Sequence, residues 1–494
     1  MIALCDISKT GFISSIIRRV AGGLAISASI LAAGCATVGP DYVRPDTSLS
    51  TTWHSDLKGR LTAGEMDPRT LASWWITLND SGLSNLIDRA VAGNLYLKKA
   101  LARVRESRAR RGIAKAGLFP TFDAVGSATW TESSKDTGTN RTNETSDLYT
   151  ASFDAGWEID IFGGVRRSVE AAEADVGTSQ EELHDVLVSL LAEVAVNYID
   201  LRTFQSRLAI AEGNLESQNE TYQLTVWRYQ AGLSDELSVQ QARYNLENTR
   251  SQLPTLRTGK EEALNRIAVL LGEQPGKIHS LLEQQASIPV IPLKLAIGVP
   301  ADVLRNRPDV RKAERELAAQ SARIGVATAD LYPKLTLSGS IGIETLKISS
   351  QPATQTWSSS FGPGITWAIF KAGAIRQNIE VQSALHEQAL INYEATILSA
   401  LENVENALVA YAEEQGRRDA LSVAEEAAQK SADLAKYKYQ SGLTDFNNVL
   451  EAQRSLLTFQ DQLAQSNGIV ASNLVRLYKA LGGGWISIDP AEKK

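Results

Sequence analysis

The stretch YQAGLSDELSVQQARYNL that begins at Tyr229 returns, little altered, as YQSGLTDFNNVLEAQRSL from Tyr439, 210 residues later. The offset holds without a gap as far as Leu271-Gly272 and Leu481-Gly482. Upstream, AKAGLFPTF from Ala114 answers ATADLYPKL from Ala327, and FDAGWEIDIFGG from Phe153 answers FGPGITWAIFKAG from Phe361, at offsets of 213 and 208. A chance echo would not keep phase so long. The chain is therefore a tandem duplication of a unit of about 200 residues, and its fold must use one supersecondary plan twice.

Each copy reads in the order short helix, two strands, very long helix, helix. Pro120 and Pro333 stand just before the strands, and Pro275, Pro289, Pro292, Pro300 and Pro308 crowd the junction between copies. Between Pro120 and Pro254, and again between Pro363 and Pro490, there is no proline, which leaves room for unusually long helices. In the first copy an apolar seam runs Leu183, Leu187, Leu190, Val194, Tyr198, Leu201, Phe204, Leu208, Ala211 and Leu215, 32 residues in nine steps. That spacing lies between the coiled-coil and straight-helix periods, so the helix packs nearly parallel to its neighbours over a long distance. The second copy repeats the seam at Tyr393, Ile397, Ala400, Val404, Leu408 and Tyr411, before Glu413, Glu414, Arg417 and Arg418 interrupt it. A helix from Val165 to Tyr229 would span about 100 Å.

The strands carry the sharper pattern. Tyr149, Ala151, Phe153, Ala155, Trp157, Ile159 and Ile161 alternate with Thr150, Ser152, Asp154, Gly156, Glu158 and Asp160. Trp357, Ser359, Phe361, Pro363, Ile365, Trp367 and Ile369 alternate with Ser358, Ser360, Gly362, Gly364, Thr366 and Ala368. Strands are expected at about 121–131, 148–162, 334–344 and 357–370. A half-buried sheet in a soluble domain would explain one such strand. Four of them, with aromatics near the ends and polar residues on the other face, suit a transmembrane barrel better. Open edges are not tolerated in lipid and the smallest barrels have about eight strands, so strands must be pooled between copies of the chain. Two, three or four chains would all serve on this ground.

The N-terminus has the layout of a signal peptide. Lys9, Arg18 and Arg19 precede the uncharged run Val20 to Gly34, which is short for a membrane span and ends at Cys35. The segment ILAAGC looks like a bacterial lipoprotein signal, with Ala32 where Leu is usual, and the alternative is an ordinary signal peptide cut nearby. Residues 1–34 are read as removed, which takes Cys5 away and leaves Cys35 with no disulfide partner. Cys35 is best explained as the site of a covalent lipid anchor, since two or more acyl chains hold a protein to a membrane firmly. Ala36 rather than Asp after it favours the outer membrane by lipoprotein sorting rules.

A net charge of −7 argues against a nucleic-acid partner, because no basic excess is available for phosphates. An enzyme is not expected. His54, His184, His279 and His386 are the four histidines, HEQAL at His386 lacks the second His of a zinc protease, and no phosphate loop or nucleophile elbow occurs. No cofactor is expected beyond the lipid on Cys35.

Taken together, CATVGPDYVRP from Cys35, LFPTF from Leu118, RPDVRKAERELAAQSARIGVATADLYPKLTLSGSIG from Arg307, VLEAQRSL from Val449 and ALGGGW from Ala480 resemble the outer-membrane factor family. These are TolC-like exit ducts, and the resemblance is greatest to the lipoprotein branch serving resistance-nodulation-division (RND) pumps. It covers essentially the whole mature chain. The resemblance implies a mainly α fold with a transmembrane β-barrel portion: a homotrimer, four strands per chain in a twelve-strand barrel, and a long α-helical periplasmic barrel. It divides the chain into 35–300, holding the N-terminal segment and first repeat, 301–486, holding the second, and a tail at 487–494. It implies a periplasmic adaptor and an inner-membrane RND-type pump as partners.

Gly232 and Gly442 supply left-handed residues where helices end, and Ser234-Asp235 and Thr444-Asp445 can cap the next helices. As structure these are hairpin turns; by resemblance they are the periplasmic tip that contacts the adaptor. Glu451 matches the family's acidic position near the gate, so three copies would form a carboxylate ring favouring cations. Its repeat mate is the neutral Gln241. Arg454 lies one turn on from Glu451, and an exposed i,i+3 pair is the plainer reading of the two. Asn447 sits where the family often has a large apolar residue, which leaves a hydrophobic plug at that level in doubt. Export of proteins or peptides through the same kind of duct, and a periplasmic coiled-coil spacer without a pore, are the rival functions.

Overall fold

The computed structural model describes residues 37–46, 52–58, 60–64, 67–136, 141–289, 295–348 and 352–485. Cys35 and the tail from 487 lie outside them. The chain divides into two compact units. A strand unit comprises residues 105–178 and 314–392 with the segment ending at Pro45; a helical unit takes 46–104, 179–313 and the rest from Tyr393. Each unit thus draws on both sequence copies.

Short elements open the chain: β1 (Leu61–Ala63), α1 (Pro68–Ala72), a 3-10 turn at Trp74–Leu78, α2 (Ser81–Gly93) and α3 (Leu95–Ala116). The first copy continues with β2 (Thr121–Asp136), β3 (Arg141–Ile159), α4 (Gly164–Gln230) and α5 (Glu236–Leu271). After α6 (His279–Leu282), β4 (Leu295–Ile297) and α7 (Pro300–Asn306), the second copy runs α8 (Pro308–Ala329), β5 (Lys334–Ile348), β6 (Thr354–Thr366), α9 (Ala374–Gln440) and α10 (Phe446–Ala480). Both α4 and α9 have 67 residues, about 100 Å of helix each.

In the strand unit the sheet order is β2-β3-β5-β6, antiparallel throughout, so the two copies meet at β3 and β5. Phe153 stands opposite Ala124 on one side and Ile341 on the other, and Ala155 stands opposite Phe122 and Gly339. One face is therefore aromatic and aliphatic, while Asp154, Ser152 and Thr150 share the other with Asp123, Ser340 and Glu344. The strands differ from expectation at their ends: β2 passes 131 to Asp136 because pairing continues into polar sequence, and β5 passes 344 to Ile348, with Leu346 and Ile348 on the face opposite to Ile341 and Ile343. They stop short of Ile161 and Ile369. Each of those residues donates its backbone N–H to the residue two before it, Ile159 and Trp367, and turns the chain out of the sheet. After β3, Asp160 accepts from the backbone N–H of Val165 and Arg166 and starts α4. Trp157 donates its indole N–H to the Leu118 carbonyl at 3.0 Å, and its mate Trp367 does the same to Leu331 at 3.0 Å.

The segment following residue 36 is laced to this unit. Val38 donates its backbone N–H to Phe162, and the buried Arg167 donates to the carbonyls of Val38 and Gly39 and to the Asp41 carboxylate. Gly39 has a positive φ of 87° and lies so close to Gly325 that a Cβ there would fall 2.4 Å from its Cα. Neither a left-handed backbone nor that approach suits a larger residue.

The helical unit has the larger core. Trp74 stacks on Tyr478 with centroids 5.4 Å apart, and Leu183, Leu187, Val194, Tyr198 and Leu201 of α4 are all buried with Val404, Leu408 and Tyr411 of α9. Tyr198 donates its hydroxyl to Asp80, which also accepts the Leu83 N–H at the start of α2. Burial pushes the Tyr198 phenol up to about 12. Pro254 lies inside α5 rather than at a boundary. It leaves the Arg250 carbonyl without its intrahelical donor, a cost of about 3 kcal/mol that the rest of the helix offsets.

Candidate functional site

Two helical hairpin turns in the helical unit carry the residues that the sequence marks. At the first, Gly232 has φ 70° and donates to the Tyr229 carbonyl, while Leu233 donates to Arg228. At the second, Gly442 has φ 71° and donates to Tyr439, while Leu443 donates to Lys438. These are paired Schellman caps, identical in the two copies, and they leave Leu233 and Leu443 69% and 74% exposed at the turn. Asp235 caps α5 by accepting the Ser238 hydroxyl at 2.6 Å and the Ser238 N–H at 2.9 Å, and these two bonds, the hydroxyl's foremost, hold its carboxyl below the usual range. Asp445 makes no such side-chain bond; at that turn Thr444 accepts from the Asn448 amide instead, at 2.8 Å. Ser234 is half-buried and contributes no cap of its own.

Behind the turns, α5 and α10 are joined by Arg454. Its guanidinium donates from Nε to the Asn245 amide oxygen at 3.0 Å and from a terminal nitrogen to the Tyr244 hydroxyl, lying 5.0 Å from the centre of that ring. The expected i,i+3 partner Glu451 is not used. Glu451 is exposed, as is Asn447, and Gln241 is half-buried. Asn245 is 3% exposed, so the link is anchored in the interior.

The neighbouring seam is polar. Gln218, Thr221, Thr225, Asn245, Thr249 and Gln453 are all buried. Gln453 donates to Thr221 at 2.9 Å, but its own amide oxygen, the Asn245 amide nitrogen and both side-chain polar atoms of Gln218 find no partner among the described residues. Each such orphan costs about 1–3 kcal/mol, so this packing is easier to open than an apolar one. Arg228 adds a further tie, donating to the Tyr439 carbonyl at 3.1 Å.

Tyr244, Asn245, Gln453 and Arg228 were not singled out from sequence. A signal existed for one of them: Tyr244 and Arg454 are 210 apart, hence the same position in the two copies. Elsewhere in the helical unit, a cavity of about 500 Å³ is lined by Asp185, Arg307, Asp309, Arg476 and Lys479. Burial, with Asp309 adding to it, pushes the Asp185 carboxyl up. No cluster of His, Cys, Asp or Glu among the described residues is arranged to hold a metal, and no helix among them is long and apolar enough to cross a membrane.

The family description "Outer membrane efflux protein" matches this chain twice, at residues 86–273 and 299–483, which are the two sequence copies. Nodulation protein T of Rhizobium leguminosarum bv. trifolii is 32% identical over 94% of this chain and 97% of its own length. The solvent efflux pump outer membrane protein SrpC of Pseudomonas putida is 30% identical over 94% and 98%. Among solved structures, the outer-membrane channel OprN superposes with a TM-score of 0.82 at 36% identity, over 91% of this chain and all of that one.

Proposed function

Because the chain belongs to the outer membrane efflux protein family and serves as an efflux channel protein of the outer membrane, we propose that three copies close a single passive duct, each adding its four strands to a twelve-strand barrel. One observation carries this reading. Among the described residues the sheet has unpaired edges at β2 and β6, one face exposing Phe122, Phe153, Trp357, Phe361 and Ile365, and an opposite face rich in Asp, Glu, Ser and Thr. Aromatic surface of that extent suits lipid, and the polar face suits a water-filled lumen. Edges that would be fatal in lipid disappear when β2 of one copy pairs with β6 of the next. Twelve strands give a barrel about 25 Å across.

In this reading α4, α5, α9 and α10 continue the wall into the periplasm, and the turns at Gly232, Ser234, Asp235 and Gly442, Thr444, Asp445 meet a periplasmic adaptor. Glu451, Asn447, Gln241 and Arg454 form the gate: Arg454 holds the α5–α10 pair together through Tyr244 and Asn245, and releasing it lets the entrance widen. A lipid on Cys35 anchors each copy. An inner-membrane pump of RND type supplies the energy, and the cargo is small toxic solutes. A wide passive lumen has little need to recognise them. Planar-bilayer recording of purified oligomer tests the duct directly. Discrete conductance steps support it; well-folded oligomer that never conducts would leave only a periplasmic spacer.

A further inference from the structure

In the strand unit the helices follow the sheet order. Arg111 of α3 reaches Glu173 of α4 at 3.0 Å, Arg323 of α8 reaches Asp175 of α4 at 2.7 Å, and Gln320 of α8 reaches Gln382 of α9 at 2.9 Å. That leaves one flank of α3 and one of α9 without a neighbour among the described residues, beside the open edges at β2 and β6. The two flanks are oppositely charged. α3 carries eight basic residues against one acidic, whereas its repeat mate α8, equally 22 residues long, carries four against three. Arg105 and Arg108 are exposed and make no ion pair among the described residues, and Arg110 reaches only Glu106 of its own helix. Cations a turn apart destabilise a helix. On α9, Glu380 and Glu387 are exposed, seven residues apart, and likewise without an ion pair among the described residues.

We propose that these flanks dock on each other between neighbouring copies of the chain, Arg105 and Arg110 of one facing Glu380 and Glu387 of the next. The inference rests on the closed-duct reading and assigns the surface that closes it. The internal duplication supplies the geometry, because α8 against α4 within one chain pairs the same two elements as α3 against α9 across the edge. Three contacts can be transposed. Arg323 with Asp175 becomes Arg110 with Leu385. Arg315, whose aliphatic stem lies 3.1 Å from a Cβ built on Gly177, becomes Ala102 with Glu387. Gly325, whose added Cβ would fall 2.8 Å from Arg167, becomes Gly112 with Gln377. Each transposed pair still sets bulk against a small or flexible partner, and in the second the bulk has changed sides. Glu387 then arrives beside Ala102, one turn from Arg105. Glu380 lies seven residues back on the antiparallel helix, level with Ala109 and Arg110. The exposed Val381 and Leu385 of α9 and Ile113 of α3 give the contact an apolar strip between the charges.

The full-length lipid-embedded protein tests this in two ways. Oxidation of Gly112→Cys combined with Gln377→Cys is expected to link chains covalently to one another, while neither single variant does so. Reversing one flank, by Arg105→Glu with Arg110→Glu or by Glu380→Lys with Glu387→Lys, is expected to speed subunit exchange between differently tagged oligomers at least about tenfold. Combining both reversals should restore exchange to within about threefold of the parent, and added salt should speed exchange of the parent. A stable parent oligomer that neither cross-links at these positions nor responds to the reversals overturns the docking surface and leaves the duct standing. That result would assign the basic flank to another partner, such as an acidic protein or an anionic lipid surface. A parent found as single chains in the bilayer overturns both.

Discussion

The same helices pack in two chemically different ways along the helical unit. From Leu183 to Leu201 in α4 and from Tyr393 to Tyr411 in α9 the contacts are large, apolar and fully buried. Further along α4, from Gln218 to Thr225, the buried positions are one amide and two hydroxyls, and both side-chain polar atoms of Gln218 find no partner among the described residues. Backbone geometry does not account for the contrast, since both stretches are regular α-helix. The first stretch gains most by staying closed. The second gives up stability in return for an interface whose groups can exchange partners with water or with one another.

The comparison can be broken most severely in the apolar stretch. Leu187→Ala, at a fully buried position, is expected to lower stability by about 2–5 kcal/mol, read as a shift in the denaturant midpoint of the helical signal, with unchanged conductance of the channels that remain folded. A loss no larger than one made in the polar stretch would mean that the two regions do not differ. Arg454→Ala should cost about 1.5 kcal/mol and should instead raise single-channel conductance or open probability, because it removes the tie between α5 and α10. Glu451→Ala should leave stability where it is and shift cation preference; identical reversal potentials in the variant would remove Glu451 from the gate. Replacing Gln453 with Leu and Thr221 with Val together should be neutral or stabilising by up to about 1 kcal/mol, and should reduce opening. The smallest effect concerns Asp200, whose carboxyl burial pushes up. A raised carboxyl binds its proton more tightly folded than unfolded, so stability declines as pH rises from the unfolded value through the folded one. Asp200→Asn should abolish that decline and match the parent at acid pH, as thermal melts across that window would show.

The apolar stretch was legible in the sequence because leucine spacing reports helix period and burial together, and every seam residue from Leu183 to Leu201 is buried. The strands were legible for the same reason at period two. Their ends were not, because β2 continues through polar residues and β5 moves its apolar residues to the other face at Leu346 and Ile348, both held in register by backbone pairing, and Ile161 and Ile369 look like strand but turn out of it. The turns at Gly232 and Gly442 were readable from glycine. The link from Arg454 to Tyr244 was not, since a guanidinium has many possible acceptors and the sequence offered Glu451 nearer by. The contrast between α3 and α8 acquires meaning only once the sheet order shows which helix flanks have no neighbour among the described residues.

Val38, tied by its N–H to Phe162 and by its carbonyl to Arg167, sets a length scale. Three peptide steps separate Cys35 from Val38, a reach of no more than about 11 Å. A lipid at Cys35 would thus be moored to the foot of β3, and it would act as a depth gauge for the sheet instead of a loose leash. Inserting a long flexible spacer after Cys35 would let out that line while leaving every contact of the folded units intact.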